Sequence, residues 1–168
     1  WLDLPTTTEQ VQAALRQIGI SSDNPQGLFV SGYFAEEEKR FAIPYNMVLA
    51  SSVDELNFLA ARLETLSAGE RAELNAALQA PQSELSSIGK ITDFPENVDY
   101  YVHLPEIHGP AQLGDYYLNR SGMVDMPEEW KGGIDTAQFG RYVAQQEQGV
   151  FTQYGYLVKS GDEWQKVH

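Results

Sequence analysis

The chain has 168 residues, no cysteine and a formal net charge of −13, because 24 acidic residues stand against 11 lysines and arginines. The length allows one ordinary hydrophobic core or a few small ones. The absence of thiols excludes disulfides, thiolate nucleophiles and most structural zinc sites. The charge disfavours binding to nucleic acid or acidic membranes and favours basic partners, although many proteins are acidic simply to stay in solution.

No apolar run approaches the ~20 residues that span a bilayer, and no secretory signal is visible. No contact with membranes is therefore expected, and the lack of cysteine suits a reducing cytoplasm without requiring one. The chain starts at Trp1 and not at methionine, so its natural N-terminus is expected to lie further upstream.

The first region, residues 1–50, is predicted to be α/β. Segment 1–5 alternates large apolar residues and ends at a proline, which is typical of the end of a strand. Threonines then begin an amphipathic helix, whose apolar spacing starts at Val11 and which Gly19 is expected to end.

The rest of this region is predicted to be mostly extended. Apolar runs at 28–30 and 33–34 predict a strand, and the charged run 36–40 predicts a solvated turn. Segment 41–49 is predicted to be extended or irregular.

The middle region, residues 51–97, is predicted to be a small helical bundle. A serine three positions before Glu55 forms a capping box, and apolar residues follow at helical spacing. A second capping signal at 67–70 begins another helix, which Pro81 is expected to end, and 83–91 forms a third short one.

The last region, residues 98–168, is predicted to be α+β. Its apolar and aromatic spacing predicts strands flanking a group of helices, with Gly155 at a turn or bulge. The predicted strands are 98–103 and 150–158, and the predicted helices are 113–120, 127–130 and 134–146. The fold class of the whole chain is therefore α+β, in three small domains.

The sequence contains no motif of a common catalytic or cofactor site. A phosphate-binding glycine loop, a dinucleotide fingerprint and a nucleophile elbow are all missing. His103 and His108 flank Glu106, but their spacing matches neither the zinc-protease helix nor zinc-finger pairs, so no metal is expected. Pairs such as Glu128 with Glu129 arise by chance in so acidic a chain. A hydrolase using such a pair, or His103 with Glu106, is an alternative to the preferred prediction of a non-enzyme.

The acidic residues are scattered along the whole chain and are not bunched in a tail. A protein that imitates DNA needs such a scatter, but a solvated surface shows it as well. The candidate phosphate-mimicking acids are Asp54, Glu55, Glu64, Glu70, Glu73, Glu84, Asp93, Glu96, Asp99, Asp115, Asp125, Glu128, Glu129, Asp135 and Glu147.

A series of segments, in order and over nearly the whole length, resembles the ArdA family of antirestriction proteins. The most specific is 134–141, which is similar to the family's Ile-Asp and aromatic-Gly-Arg signature. The other similar segments are 1–5 with the capped helix after it, 53–57, 113–117 with Gly122, and the closing hairpin 149–157.

The resemblance implies an elongated, curved arrangement of the three domains that follows bent B-DNA. It implies a homodimer without catalysis or cofactor, which occupies the basic DNA-binding groove of a type I restriction-modification enzyme. Such proteins are carried by mobile genetic elements and act in the cytoplasm of the recipient of conjugation. The alternative is an acidic protein-interaction module of a mobile-element protein without DNA mimicry.

The resemblance also implies roles for particular segments. The family's usual first strand would precede residue 1, and residues beyond 158 run past its usual close. The residues expected to hold the C-terminal domain or the dimer together are Phe139, Gly140, Arg141, Tyr142 and Val143.

Overall fold

The computed structural model describes residues 1–20, 28–37, 40–81 and 83–168, and it combines helices with one small sheet. The α+β class is therefore confirmed. The α-helices are α1 (Thr8–Gln17), α2 (Tyr45–Leu49), α3 (Val53–Glu64), α4 (Ala68–Gln79), α5 (Ile88–Thr92), α6 (Pro110–Asp115), α7 (Glu128–Lys131) and α8 (Thr136–Glu147). The strands are β1 (Tyr101–Leu104), β2 (Val150–Thr152) and β3 (Gly155–Lys159).

Capping boxes begin α1, α3 and α4, as the sequence predicts. At α3, the Ser52 backbone N–H donates to the Glu55 carboxylate at 2.8 Å, and the Glu55 N–H donates back to Ser52 Oγ at 3.2 Å. Each box satisfies helix donors that would otherwise lack partners, which is worth about 1 kcal/mol. Gly19, with φ +79°, follows α1, and α4 ends before Pro81.

The three strands form an antiparallel sheet in the order β1-β3-β2. Tyr101 pairs with Lys159, and Val150 pairs with Leu157. Gly155 begins β3 with φ +117°, where a Cβ would overlap the Leu104 carbonyl oxygen. The turn or bulge predicted at this glycine is a turn at residues 153–154, immediately before it, and only glycine fits both the backbone angle and the space at position 155.

The buried apolar residues form two clusters. The larger one joins leucines of α3 and α4 and isoleucines of α5 with Tyr100, Tyr101 and Leu157 of the sheet region. The smaller one contains Ile107, Leu113, Ala144 and Tyr156 and lies between α6, α8 and the sheet. The larger cluster therefore includes residues on both sides of position 97. The division into domains at 50 and 97 stays a prediction.

The predicted strands of the first region are wrong. Residues 1–5, 28–30 and 33–34 have no strand structure. A strand needs a neighbouring strand to pair its backbone, and the described part of the chain holds strands only in the β1-β3-β2 sheet. Apolar alternation without such a partner does not produce a strand.

Other boundaries differ more modestly. Segment 41–49, predicted to be extended or irregular, ends in helix α2. The third helix of the middle region starts at Ile88, because Ser87 caps it there. Val98–Tyr100 forms a 3-10 turn, so the strand predicted at 98–103 starts only at Tyr101, as β1. Of the predicted turn at 36–40, Glu38 and Lys39 lie outside the described residues.

The helix predicted at 113–120 begins earlier, at the start of α6, where Pro110 occupies the first turn. It continues through a π-helical turn, Tyr116–Arg120, up to Gly122 with φ +70°. None of the described helices is both long and apolar enough to cross a bilayer.

Candidate functional site

Part of the predicted acidic set lies at the surface with no cation beside it. These side chains are exposed, and within the described residues they have neither a hydrogen bond nor an ion pair. They come from α3, α7 and the loops of the second half of the chain. They are Asp54, Glu64, Asp99, Asp125 and Glu129. They are available to a basic partner without first breaking an internal contact.

Another part of the set caps helices and keeps its charge at the surface. The Ser52 backbone N–H and hydroxyl donate to Glu55 and lower the pKa of its carboxyl group. Glu70 is held in the same way by Ser67, and its pKa is also lowered. Asp135 accepts from the Gln138 N–H at 3.0 Å at the start of α8. Glu55 and Glu70 are therefore negative at neutral pH, and all three carboxylates remain accessible to solvent.

Two acids of the set pair with nearby cations at the surface. Asp115 lies 3.5 Å from the Arg120 guanidinium, and Glu128 lies 2.6 Å from the Lys131 ammonium. Exposed ion pairs of this kind are worth about 0–1 kcal/mol, so a partner can exchange them at little cost.

Glu84 and Glu96 form ion pairs with lysine or arginine side chains of the fold itself, although both remain partly exposed. Glu84 lies between Lys90 at 3.1 Å and Lys159 at 3.0 Å, and the hydrogen bonds from Lys159 and then Lys90 lower its pKa to about 2. Glu96 pairs with Arg62 of α3. Both carboxylates hold separate segments together, so they offer less to an external cation.

Asp93 and Glu147 face inward. Asp93 is only 2% exposed and accepts hydrogen bonds from His168. Glu147 accepts hydrogen bonds from the hydroxyls of Tyr117 and Tyr156, the latter at 2.9 Å. Burial, followed by these hydrogen bonds, raises the pKa of both phenols. Asp93 and Glu147 therefore stabilise the interior of the fold.

Glu73 differs from the other acids because its charge is suppressed. Burial raises its pKa to about 8, and repulsion from Glu70 and Asp99 adds to the shift. Its Oε1 atom is buried with no hydrogen-bond partner in the described chain. The group is therefore mostly protonated at neutral pH and does not imitate a phosphate there.

The residues of the C-terminal signature divide between the interior and the surface. Gly140 is buried where α8 crosses α6, and a Cβ there would overlap the Pro110 carbonyl oxygen. Val143 packs on the smaller apolar cluster, and Phe139 is half-buried. Arg141 and Tyr142 are exposed, Tyr142 by 59%.

Among the described contacts, His103 and Glu106 of the hydrolase alternative form no hydrogen bond or ion pair with each other. The His103 Nε2 atom lies 2.6 Å from the Tyr154 carbonyl oxygen, and Glu106 is exposed. Within the described residues, no group of three or more histidine and acidic side chains could hold a metal ion.

Comparison with protein families assigns almost the whole chain to one of them. The model of the antirestriction protein family ArdA matches residues 1–158. Comparison with curated proteins gives no match. The family match includes the crossing of α6 and α8 and every surface carboxylate described above. The chain belongs to the ArdA family of antirestriction proteins.

Proposed function

We propose that this antirestriction protein imitates the charge of B-DNA and inhibits type I restriction-modification enzymes by occupying their DNA-binding groove. Family membership supports the antirestriction activity and an interaction with restriction enzymes. The observation that carries the finer proposal is the set of exposed carboxylates without a neighbouring cation, which runs from α3 to α7.

The phosphate-mimicking surface consists of the acids that remain both charged and outward. Its core is Asp54, Glu64, Asp99, Asp125 and Glu129. Glu55, Glu70, Asp115, Glu128 and Asp135 add to it, since their internal contacts leave them facing solvent. Asp93 and Glu147, which face inward, stabilise the fold that carries these exposed carboxylates.

The total charge is adequate for the task. Duplex DNA carries one charge per ~1.7 Å, so two chains of −13 each match the formal charge of roughly 44 Å of duplex.

The proposal includes a homodimer in which the exposed Tyr142 and Arg141 contribute to the contact, and an elongated arrangement of three domains. It also includes action in the cytoplasm of a cell that has received a mobile element by conjugation.

A displacement assay tests this function. A type I restriction-modification enzyme is first bound to a labelled duplex, and the purified protein is then titrated in at several salt concentrations. We expect displacement at low salt and a steep loss of inhibition as salt rises, because many weak charge contacts are screened together. A protein that leaves the duplex bound at low salt is not a DNA imitator.

The second candidate is an acidic interaction module that binds another basic protein. The scatter of acids over the surface favours it as much as it favours mimicry. The same assay separates the two, because such a module would bind its partner without competing with duplex DNA.

A further inference from the structure

The family match ends at residue 158, and the chain beyond β3 packs against α3 and the turns at 93–100. Residues 160–168 are here called the strap. The strap has no regular secondary structure. It begins where the Ser160 backbone N–H and hydroxyl both donate to the Tyr100 carbonyl oxygen, at 2.9 and 3.1 Å.

A buried asparagine binds the main chain of the strap. Asn97 is 5% exposed, and its Oδ1 accepts from the Gln165 N–H at 2.7 Å. Its Nδ2 donates to the Gln165 carbonyl oxygen at 2.9 Å. This side-chain amide therefore satisfies both main-chain groups of one residue, as a neighbouring strand would.

A buried carboxylate binds the end of the strap. Asp93 Oδ1 accepts from the His168 backbone N–H at 2.9 Å and lies 3.0 Å from the His168 Nδ1 atom. Both hydrogen bonds that the Asp93 carboxylate receives from the described residues come from His168. The imidazole also meets the Phe58 ring edge-on at 5.1 Å between ring centres. A carboxylate buried to this degree is costly without such donors.

Trp164 supplies an apolar anchor. Its ring packs edge-on against Tyr100 at 5.1 Å between ring centres. The buried indole N–H has no hydrogen-bond partner within the described chain, so the ring contributes by packing. Between the two anchors, the side chains of Lys166 and Val167 are exposed.

We propose that Phe58, Asp93, Asn97 and Tyr100 form a peptide-binding site, and that the strap is its ligand, bound in cis. The site takes an extended peptide with an aromatic residue four positions before a histidine. It recognises that peptide by two side-chain anchors and by the main chain between them. The site stands on these contacts and does not depend on DNA mimicry.

Two asparagines of the middle helices also bind main-chain groups through both atoms of the side-chain amide. Asn57 of α3 accepts from the Thr6 N–H at 2.7 Å and donates to the Thr6 carbonyl oxygen at 2.9 Å. Asn75 of α4 accepts from the Ala42 N–H at 2.7 Å and donates to the Arg40 carbonyl oxygen at 3.4 Å. The asparagines of α3 and α4 thus bind the main chain of irregular segments that precede these helices. Asn97, which lies in a turn, binds the main chain of the strap in the same way.

Hydrogen exchange in the full chain tests the cis contact. The double variant Trp164→Ala with His168→Ala removes both anchors and is expected to speed amide exchange across 160–168 at least tenfold, with exchange in α3 and α4 unchanged. The matched control, Lys166→Ala with Val167→Ala, changes exposed strap residues and is expected to keep the parent rates. Trp164→Phe is expected to keep them too, since no hydrogen bond is lost. Parent rates in the double anchor variant would overturn the proposal.

A binding experiment in trans tests the site itself. The probe is an amidated, fluorescently labelled peptide of residues 160–168, added to the full-length double anchor variant, whose own strap is disabled. We expect saturable binding by fluorescence anisotropy, and at least tenfold weaker binding when Asn97→Ala is added to that variant. A probe carrying Trp164→Ala and His168→Ala is expected not to bind. Absence of binding, or equal binding with and without the Asn97 amide, would show that the strap merely rests on the surface.

Discussion

At the residue scale, the environment of a carboxyl group decides whether it acts as a charge. Glu73 and Glu70 lie one helical turn apart on α4, yet the pKa of Glu73 is raised to about 8 by burial and that of Glu70 is lowered by the Ser67 hydrogen bonds. The difference follows from solvent access and from available donors. The spacing of acidic residues in the sequence shows neither solvent access nor the available hydrogen-bond donors.

The raised pKa of Glu73 predicts a specific pH dependence of stability. Between its ordinary value of 4.5 and about 8, the folded state holds a proton that the unfolded state has released. The free energy of unfolding therefore falls as pH rises through this range. Glu73→Gln removes this loss and is expected to stabilise the protein at pH 8 by roughly 1–2 kcal/mol, a figure reduced from the full shift because part of the side chain reaches solvent.

Urea unfolding between pH 5 and 8.5 measures this effect. The Glu73→Gln curve is expected to meet the parent curve at low pH and to lie above it at high pH. Glu64→Gln, at an exposed position, is the matched control and is expected to follow the parent curve. Parallel curves for Glu73→Gln and the parent chain would mean that Glu73 is ionised in the folded state.

At the element scale, the contact between α6 and α8 depends on two glycines. A Cβ on Gly114 would overlap the Thr136 carbonyl oxygen, and a Cβ on Gly140 would overlap that of Pro110. The helices therefore approach each other backbone to backbone. This explains the glycine of the aromatic-Gly-Arg signature as a packing requirement of the C-terminal region.

Gly140→Ala is expected to destabilise the protein by about 3 kcal/mol, because the added methyl group meets rigid backbone that has to move away. Gly69→Ala is the matched control. Gly69 also lies in a helix, α4, but a Cβ added there would have no atom within 4 Å. The change is therefore expected to be neutral or stabilising by up to about 1 kcal/mol. Thermal or chemical unfolding of both variants measures the difference. Equal stability of the two variants would refute the close helix contact.

Element prediction succeeded where the signals are local and failed where they are not. Capping boxes and turn glycines involve neighbours within a few residues, so α1, α3, α4 and the β2-β3 hairpin follow from the sequence. The strand predicted from the apolar runs at 28–30 and 33–34 required a partner strand elsewhere in the chain. The apolar pattern of a segment does not show whether a neighbouring strand is present to pair with it.

At the scale of the whole molecule, the proposed function depends on many weak contacts. Changing any one of Asp54, Glu64, Asp99, Asp125 or Glu129 to its amide is expected to weaken inhibition of a type I enzyme by about two- to threefold, the size of an exposed ion pair. Changing all of them is expected to weaken it by roughly 30- to 240-fold and to flatten its salt dependence.

The matched control changes exposed, uncharged side chains of α8: Gln138→Asn, Gln145→Asn and Gln146→Asn. It is expected to inhibit as the parent chain does. Inhibition constants at several salt concentrations measure the effect, and circular dichroism checks that each variant is folded. If the combined amide variant inhibits as well as the control, the exposed carboxylates are not the binding surface.

The sequence by itself determined the excess of negative charge, the starts of the main helices, the closing hairpin and the likeness to antirestriction proteins. All of these depend on composition or on residues close together in the chain. Only the tertiary structure decided which carboxylates form a charged surface. Glu84 and Asp93 leave that surface because Lys159 and His168, each 75 positions further along, fold back to meet them. The energy of a carboxylate depends on neighbours in space, and the chain brings those neighbours together only when it folds.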